Sequence, residues 1–195
     1  EEAIEEILLK RTFGRAGEQI VIQELLEGIE VSLHALCDGH VARLFPTSQD
    51  HKRAFDGDQG PNTGGMGTFS PVPFLSENEL LEAARAILEP WQRGCRAEGI
   101  DFRGIIYPGV MLTADGPKVL EFNARFGDPE TQVYLTRLEN DLVELLDACI
   151  SGTLKDIELR WSPQTSVCVV LASGGYPGPY TKGLPISGLE GVSAL

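Results

Sequence analysis

The chain has 195 residues, 42% apolar and 23% charged, with 16 Lys and Arg against 29 Asp and Glu for a formal net charge of −13. That composition can bury a core and excludes an intrinsically disordered chain, which is poorer in apolar residues. The acidic balance argues against nucleic-acid and anionic-membrane partners, which need a positive surface, and no apolar run approaches the roughly 18 residues of a membrane helix. Four cysteines without a CxxC pair suggest neither a zinc site nor a disulfide framework and fit a reducing, cytoplasmic setting. The absence of an initial Met and the abrupt end predict a fragment of a longer chain.

Residues 1–10 place Ala3, Ile4, Ile7 and Leu8 on one helical stripe behind an acidic first turn. Residues 14–17 are a connector, residues 19–26 and 30–37 are β-rich runs, and Asp38-Gly39 signals a hairpin into 41–45. Residues 56–67 hold five glycines in twelve positions and read as a loop. Ser76-Glu77-Asn78-Glu79 is a capping box that opens a helix through Leu80, Leu81, Ala84, Ile87 and Leu88, running to about Gly99 despite Pro90. Residues 104–113 and 117–123 form a second hairpin about Asp115-Gly116. Asp128 is expected to cap a helix with Pro129 at its first position, and Asn140 a further helix ending at Ser151-Gly152. Residues 165–172 read as a buried strand and 173–179 as a turn. His34 and His40 read as hairpin surface residues, Trp91 and Trp161 as packing residues, and the cysteines as small core hydrophobes.

Alternation along residues 117–125 puts Glu121, Asn123 and Arg125 on one face of a strand and Leu120, Phe122 and Ala124 on the other. A carboxylate and an amide oxygen two residues apart suit Mg²⁺ or Mn²⁺, which take one or two protein oxygens and complete their shell with water and phosphate. Arg125, one pleat further on, can offset charge on a transferring phosphoryl or acyl-phosphate group. Asp50-His51-Lys52-Arg53 is a compact charged cluster, and the glycine loop after it can bring backbone N–H groups to a small anion. Of the two cations, Arg53 is favoured as the anion contact for its bidentate fork.

Four segments, QDHKR at 49–53, GPNTGGMG at 60–67, EFNARFGDPETQ at 121–132 and GGYPGPYTKG at 174–183, resemble in order and spacing the phosphoribosylamine-glycine ligase family, also called glycinamide ribonucleotide synthetases, of the ATP-grasp superfamily. The resemblance implies an α+β ATP-grasp fold. Residues 1–45 would end the ATP lid, 46–163 form the catalytic core and 164–195 begin a C-terminal domain. It also implies a preceding half of the lid with a glycine-rich phosphate loop and a Lys, so that activity needs the rest of the chain. Backbone groups around Gln23, Glu24, Leu25 and Leu26 would meet the adenine of ATP, and Glu30 the ribose hydroxyls. Asp50, His51, Lys52, Arg53, Asn62, Gly64, Gly65, Asp128 and Glu130 would bind the substrates, glycine and 5-phosphoribosylamine. Glu121 and Asn123 would hold the metal, and Arg125 would be catalytic. Three departures stand out: Gln23 replaces the usual Glu, residues 107–110 lack the third metal-ligating Asp of many ATP-grasp enzymes, and Pro108 replaces the usual Ala. Another ATP-grasp carboxylate-amine ligase and a non-catalytic nucleotide-binding module are the alternatives.

Overall fold

A computed structural model describes residues 2–191, so Glu1 and residues 192–195 lie outside it. The chain begins with α1 (Glu2–Ile4), which continues as a π-helical stretch, Glu5–Leu9. The segment is helical as expected, although mostly π-helical, and none of its residues is fully buried. The run at 19–26 is not a strand. It lacks regular structure, with Val21, Ile22 and Leu25 more than four-fifths exposed. β-branched composition alone does not make a strand without an edge to pair with.

The next run divides into β1 (Ile29–Ser32) and β2 (Ala35–Asp38), followed by β3 (Ala42–Leu44). Then come β4 (Gln49–Asp50), β5 (Arg53–Phe55), β6 (Gln59–Asn62) and β7 (Gly67–Ser70). The glycine-rich stretch is thus only partly a loop, since β5 and β6 pair as a two-stranded ribbon. Helix α2 (Glu77–Ala97) carries the capping box: Ser76 Oγ accepts from Glu79 N, and Glu79 Oε2 accepts from Ser76 N. The second hairpin is β8 (Arg103–Thr113) and β9 (Gly116–Asn123). Helix α3 (Glu130–Leu135) starts one residue later than expected, with Pro129 at the N-cap and no side-chain cap. Helix α4 (Leu142–Ser151) is capped by Asp141, whose carboxylate accepts from Val143 N and Glu144 N, while Asn140 accepts instead from Arg160 N. Strand β10 (Ser166–Val169) is half open, with Val167 68% and Val169 71% exposed, so the expectation of a buried strand fails.

Strand β8 organises the main sheet. β1 and β2 lie end to end along one of its edges, β9 pairs with it too, and β3 extends the sheet beyond β2. The break between β1 and β2 falls where Leu33 meets Pro108: Leu33 N donates to the Pro108 carbonyl, but Pro108 has no N–H to return. One sheet face carries Val31, Leu33, Ala35, Ile106 and Val110 against Ala84, Ile87 and Leu88 of α2. On the other face Leu36 and Ile105 pack with Phe45, Tyr134 and the α4 residues Leu145, Ala148 and Cys149. Trp91 and Trp161 pack against these two clusters, as expected. A second sheet has the order β10-β7-β4. Strands from both sides of position 45 share the main sheet and strands from both sides of position 163 share the second, so neither domain line coincides with a break in pairing.

Ser76→Ala removes the cap of α2 while leaving its buried face intact. We expect a loss of about 1 kcal/mol, measured as a shift in urea midpoint with an unchanged slope.

Candidate active site

Along the second face of the main sheet the side chains change character. Leu36 and Ile105 lie under α4, whereas His34, Ser32 and Glu30 follow at two-residue steps on β1 and its extension, facing Tyr107, Gly109 and Met111 of β8. Gly109 stands opposite both Ser32 and Glu121, and Tyr107 opposite Asn123. A polar half-face therefore continues the apolar one.

Glu130, only 1% exposed, anchors it. Its Oε1 accepts from Ser32 Oγ at 2.7 Å and from Tyr107 Oη at 2.5 Å. Two hydroxyl donors satisfy a carboxylate that would otherwise be costly to bury. Burial and then the Glu130 charge raise the Tyr107 pKa. His34, fully buried, stacks on Tyr107 with ring centroids 4.0 Å apart; its Nε2 accepts from Gly127 N at 3.2 Å. The reading of His34 as a surface residue is therefore wrong. Burial, then the Arg125 charge, hold its pKa down to about 3.

Above this face sits a mixed-charge cluster. Lys52 forms an ion pair with Glu30, both side chains about one-third exposed. Burial works against the Lys52 ammonium, but the Glu30 hydrogen bond and the charges of Glu30, Asp50 and Glu121 outweigh it and raise its pKa. Asp50 is pushed up to about 7, first by burial and then by the Glu130 charge, against the opposing charge of Lys52. Its Oδ1 is buried without a hydrogen-bond partner. The glycine loop lies directly on it: Gly65, at φ +129°, leaves no room for a Cβ, which would fall 2.5 Å from Pro129 Cδ and 2.9 Å from Asp50 Oδ1. Gly64 N donates to Tyr176 Oη at 3.4 Å.

Glu121 and Asn123 share a face, as expected, and Asn123 Nδ2 donates to Glu121 Oε1 at 2.9 Å. That separation is close to the edge of an octahedron with bonds of about 2.1 Å. A half-turn of the amide exchanges Nδ2 for Oδ1 and presents two oxygens at ligand spacing, so the pair fits a Mg²⁺- or Mn²⁺-type ion. Among the described residues no group of three or more His, Cys, Asp or Glu side chains could hold a metal, so the remaining ligands would be water and phosphate.

Of the residues singled out from the sequence, Glu30, Asp50, Lys52, Gly65, Glu121, Asn123 and Glu130 are gathered here. Arg125 is exposed and lies beyond the end of β9, because the strand slips register at Leu120 and stops at Asn123; its Nη1 donates to the Phe126 carbonyl at 3.0 Å. It is therefore not one pleat further along the same strand. Asp128, also exposed, accepts from Gln132 Nε2. Arg53, favoured from the sequence as the anion contact, is exposed on the β5–β6 ribbon with Nη1 donating to the Gly60 carbonyl, opposite Asn62, whereas Lys52 lies in the cluster with Glu30. His51 is exposed and stacks on Phe69. Gln23, Glu24 and Leu25 are exposed and Leu26 half-buried, in chain without regular structure. Sequence reasoning missed Ser32, His34 and Tyr107, although their polar groups recur at every second position of β-rich runs.

Residues 1–131 match the family model described as the phosphoribosylglycinamide synthetase ATP-grasp (A) domain. The chain belongs to this family. It is 54% identical over 188 residues to the phosphoribosylamine–glycine ligase of Halalkalibacterium halodurans, covering 96% of this chain and 44% of that protein. It is 50% identical over 194 residues to the trifunctional purine biosynthetic protein adenosine-3 of Gallus gallus, covering 99% of this chain and 19% of that one. The crystal structure of phosphoribosylamine–glycine ligase from Thermotoga maritima matches with a TM-score of 0.73 and 37% identity over 86% of this chain and 43% of that chain. The expected α+β ATP-grasp fold is therefore correct. A more distant ATP-grasp neighbour, N5-carboxyaminoimidazole ribonucleotide synthetase from Thermus thermophilus, has a TM-score of 0.58 at 17% identity and supports the fold alone. No described helix of this ATP-grasp chain is long and apolar enough to cross a membrane.

The Asp50 environment has a measurable consequence. A carboxyl whose pKa rises on folding favours the folded state while protonated, and that contribution fades as pH climbs from the unfolded value of about 3.9 to about 7. Asp50→Asn should gain stability over the parent through this window, with almost no difference at the acid end and the largest difference above it. Urea midpoints at a series of pH values measure the trend.

Proposed function

We propose that this chain forms the catalytic part of a cytoplasmic ligase that joins glycine to 5-phosphoribosylamine with ATP, giving glycinamide ribonucleotide, ADP and phosphate. The observation that carries the reading is the convergence of Glu30, Asp50, Lys52, Glu121 and Glu130 over one polar half-face, in a chain 54% identical to a ligase of that name. The rest of a longer chain, including a phosphate loop preceding these residues, is part of the proposal. So is the division into lid end, core and start of a C-terminal domain, with β1–β3 counted with the core because they pair with or beside β8.

In the first step a carboxylate oxygen of glycine attacks the γ-phosphorus of ATP, the bond to ADP breaks and glycyl phosphate forms. The amine nitrogen of phosphoribosylamine then attacks the carbonyl carbon, the C–O bond to phosphate breaks, and the nitrogen gives up a proton. Glu121 and Asn123 would hold a Mg²⁺- or Mn²⁺-type ion, which when bound offsets charge on phosphate oxygens. Arg125 adds positive charge at the bend after β9, where negative charge develops on the transferring group. Lys52 is the cation placed to hold an anionic substrate group. Asp50, with a pKa of about 7, is the carboxyl of this cluster that can take up the amine proton near neutral pH. Glu30 and residues 23–26 remain the ATP contacts of this proposal, and the Gly64-Gly65 loop with Asp128 and Glu130 borders the substrate side.

Product formation by the full-length enzyme from ATP, glycine and phosphoribosylamine tests the reading directly. Glu121→Gln keeps the shape of the ligand but removes its charge, and kcat should fall by about 100-fold or more with an unchanged circular dichroism spectrum. Lys52→Met should raise the KM for glycine or phosphoribosylamine by about 10-fold or more, the value of a charged hydrogen bond, whereas Arg53→Ala should leave both within about twofold. Steady-state kinetics with each substrate varied in turn separate these outcomes.

A further inference from the structure

His34 is the one imidazole buried in the wall of this site, and neither the family resemblance nor the mechanism above uses it. Its surroundings give it a direction. Gly127 N donates to Nε2 at 3.2 Å, so Nε2 carries a lone pair and Nδ1 carries the proton. Nδ1 lies 3.2 Å from Tyr134 Oη, which therefore accepts from it, and Tyr134 Oη in turn lies 2.7 Å from Ser48 Oγ, to which it can donate. Every group in the chain from Gly127 through His34 and Tyr134 to Ser48 is buried, and each has one consistent role.

The Gly127 backbone is held through both of its peptide groups. Its N–H is taken by His34, and its carbonyl accepts from Thr131 N at 3.1 Å and also from Thr131 Oγ1. There is no slack around it, because a Cβ at Gly127 would fall 2.4 Å from Glu130 Oε2 and 3.0 Å from His34 Nε2. Gly127 lies two residues after Arg125, one before Asp128 and three before Glu130. His34 also stacks on Tyr107, whose hydroxyl holds Glu130. One ring thus contacts both supports of the Arg125–Glu130 turn.

We infer that His34 is a positioning residue: as a neutral Nδ1–H imidazole it accepts the Gly127 amide and fixes the turn that presents Arg125 and Asp128 to the substrates and seats Glu130 against the sheet. Burial and the nearby Arg125 charge support the neutral form. The consequence for turnover rests on the ligase reading, whereas the hydrogen-bond geometry does not.

Two measurements on the full-length protein keep these apart. Long-range ¹H–¹⁵N NMR of the imidazole at neutral pH should show His34 as the Nδ1–H tautomer with an unprotonated Nε2; an Nε2–H tautomer or an imidazolium overturns the inference whatever the enzyme catalyses. In kinetics, His34→Leu removes the acceptor and should lower kcat at least tenfold with the KM for ATP within twofold. His34→Gln places a carbonyl oxygen near the Nε2 position and should restore kcat to within threefold of the parent. Equal losses in both variants, or no loss in His34→Leu, overturn the positioning role. A parent enzyme that forms no glycinamide ribonucleotide defeats the ligase reading and leaves the tautomer measurement to decide the geometry.

Discussion

The buried carboxylate of Glu130 is the constraint on which the rest of the site depends. A charge at 1% exposure can be kept only if its oxygens are hydrogen-bonded. Its donors come from two different strands, Ser32 of β1 and Tyr107 of β8, while the carboxylate itself comes from the first turn of α3. Meeting that one requirement locks a helix start onto the middle of the sheet, and the turn from Arg125 to Pro129 has no freedom left. Burial first, and then the same charge acting outward, make the Asp50 carboxyl hold its proton more tightly. One group thus serves both structural satisfaction and part of the chemical tuning.

The cluster around Lys52 shows how an acidic protein can still be built to receive anions. Glu30, Asp50 and Glu121 all act on one ammonium, so the cation is held in place by more negative charge than it can neutralise. In the ATP-grasp reading one member of this set, Glu30, serves the ribose and another, Lys52, serves the second substrate. Their ion pair is then a direct electrostatic link between two halves of the site, and neither half can be filled without changing the charge felt by the other.

Much of this was legible in the chain itself. The capping box at Ser76, the β8–β9 hairpin and the shared face of Glu121 and Asn123 are local matters, decided by residues within a few positions of one another. The errors have non-local causes. Residues 19–26 have strand-like composition, but no partner edge lies among the described residues. Asn140 and Asp141 are both good caps, and which one serves α4 depends on Arg160 claiming the Asn140 side chain. His34 alternates with Leu33 as a solvent-facing residue would, and its burial follows only from the arrival of a turn more than ninety positions away. Lys52 and Arg53 cannot be ranked from sequence because which one points inward depends on how the β5–β6 ribbon leaves β4.

The open side of β10 bears on how the chain behaves when handled by itself. In the sheet β10-β7-β4 this strand is at an edge, with Val167, Val169 and the adjoining Leu171 largely exposed. Natural proteins protect such edges with charge, proline or a covering element, and here the strand presents alternate valines instead. An unpaired edge of this kind is a template for another strand, so self-association of the isolated 195 residues would begin at Val167 and Val169.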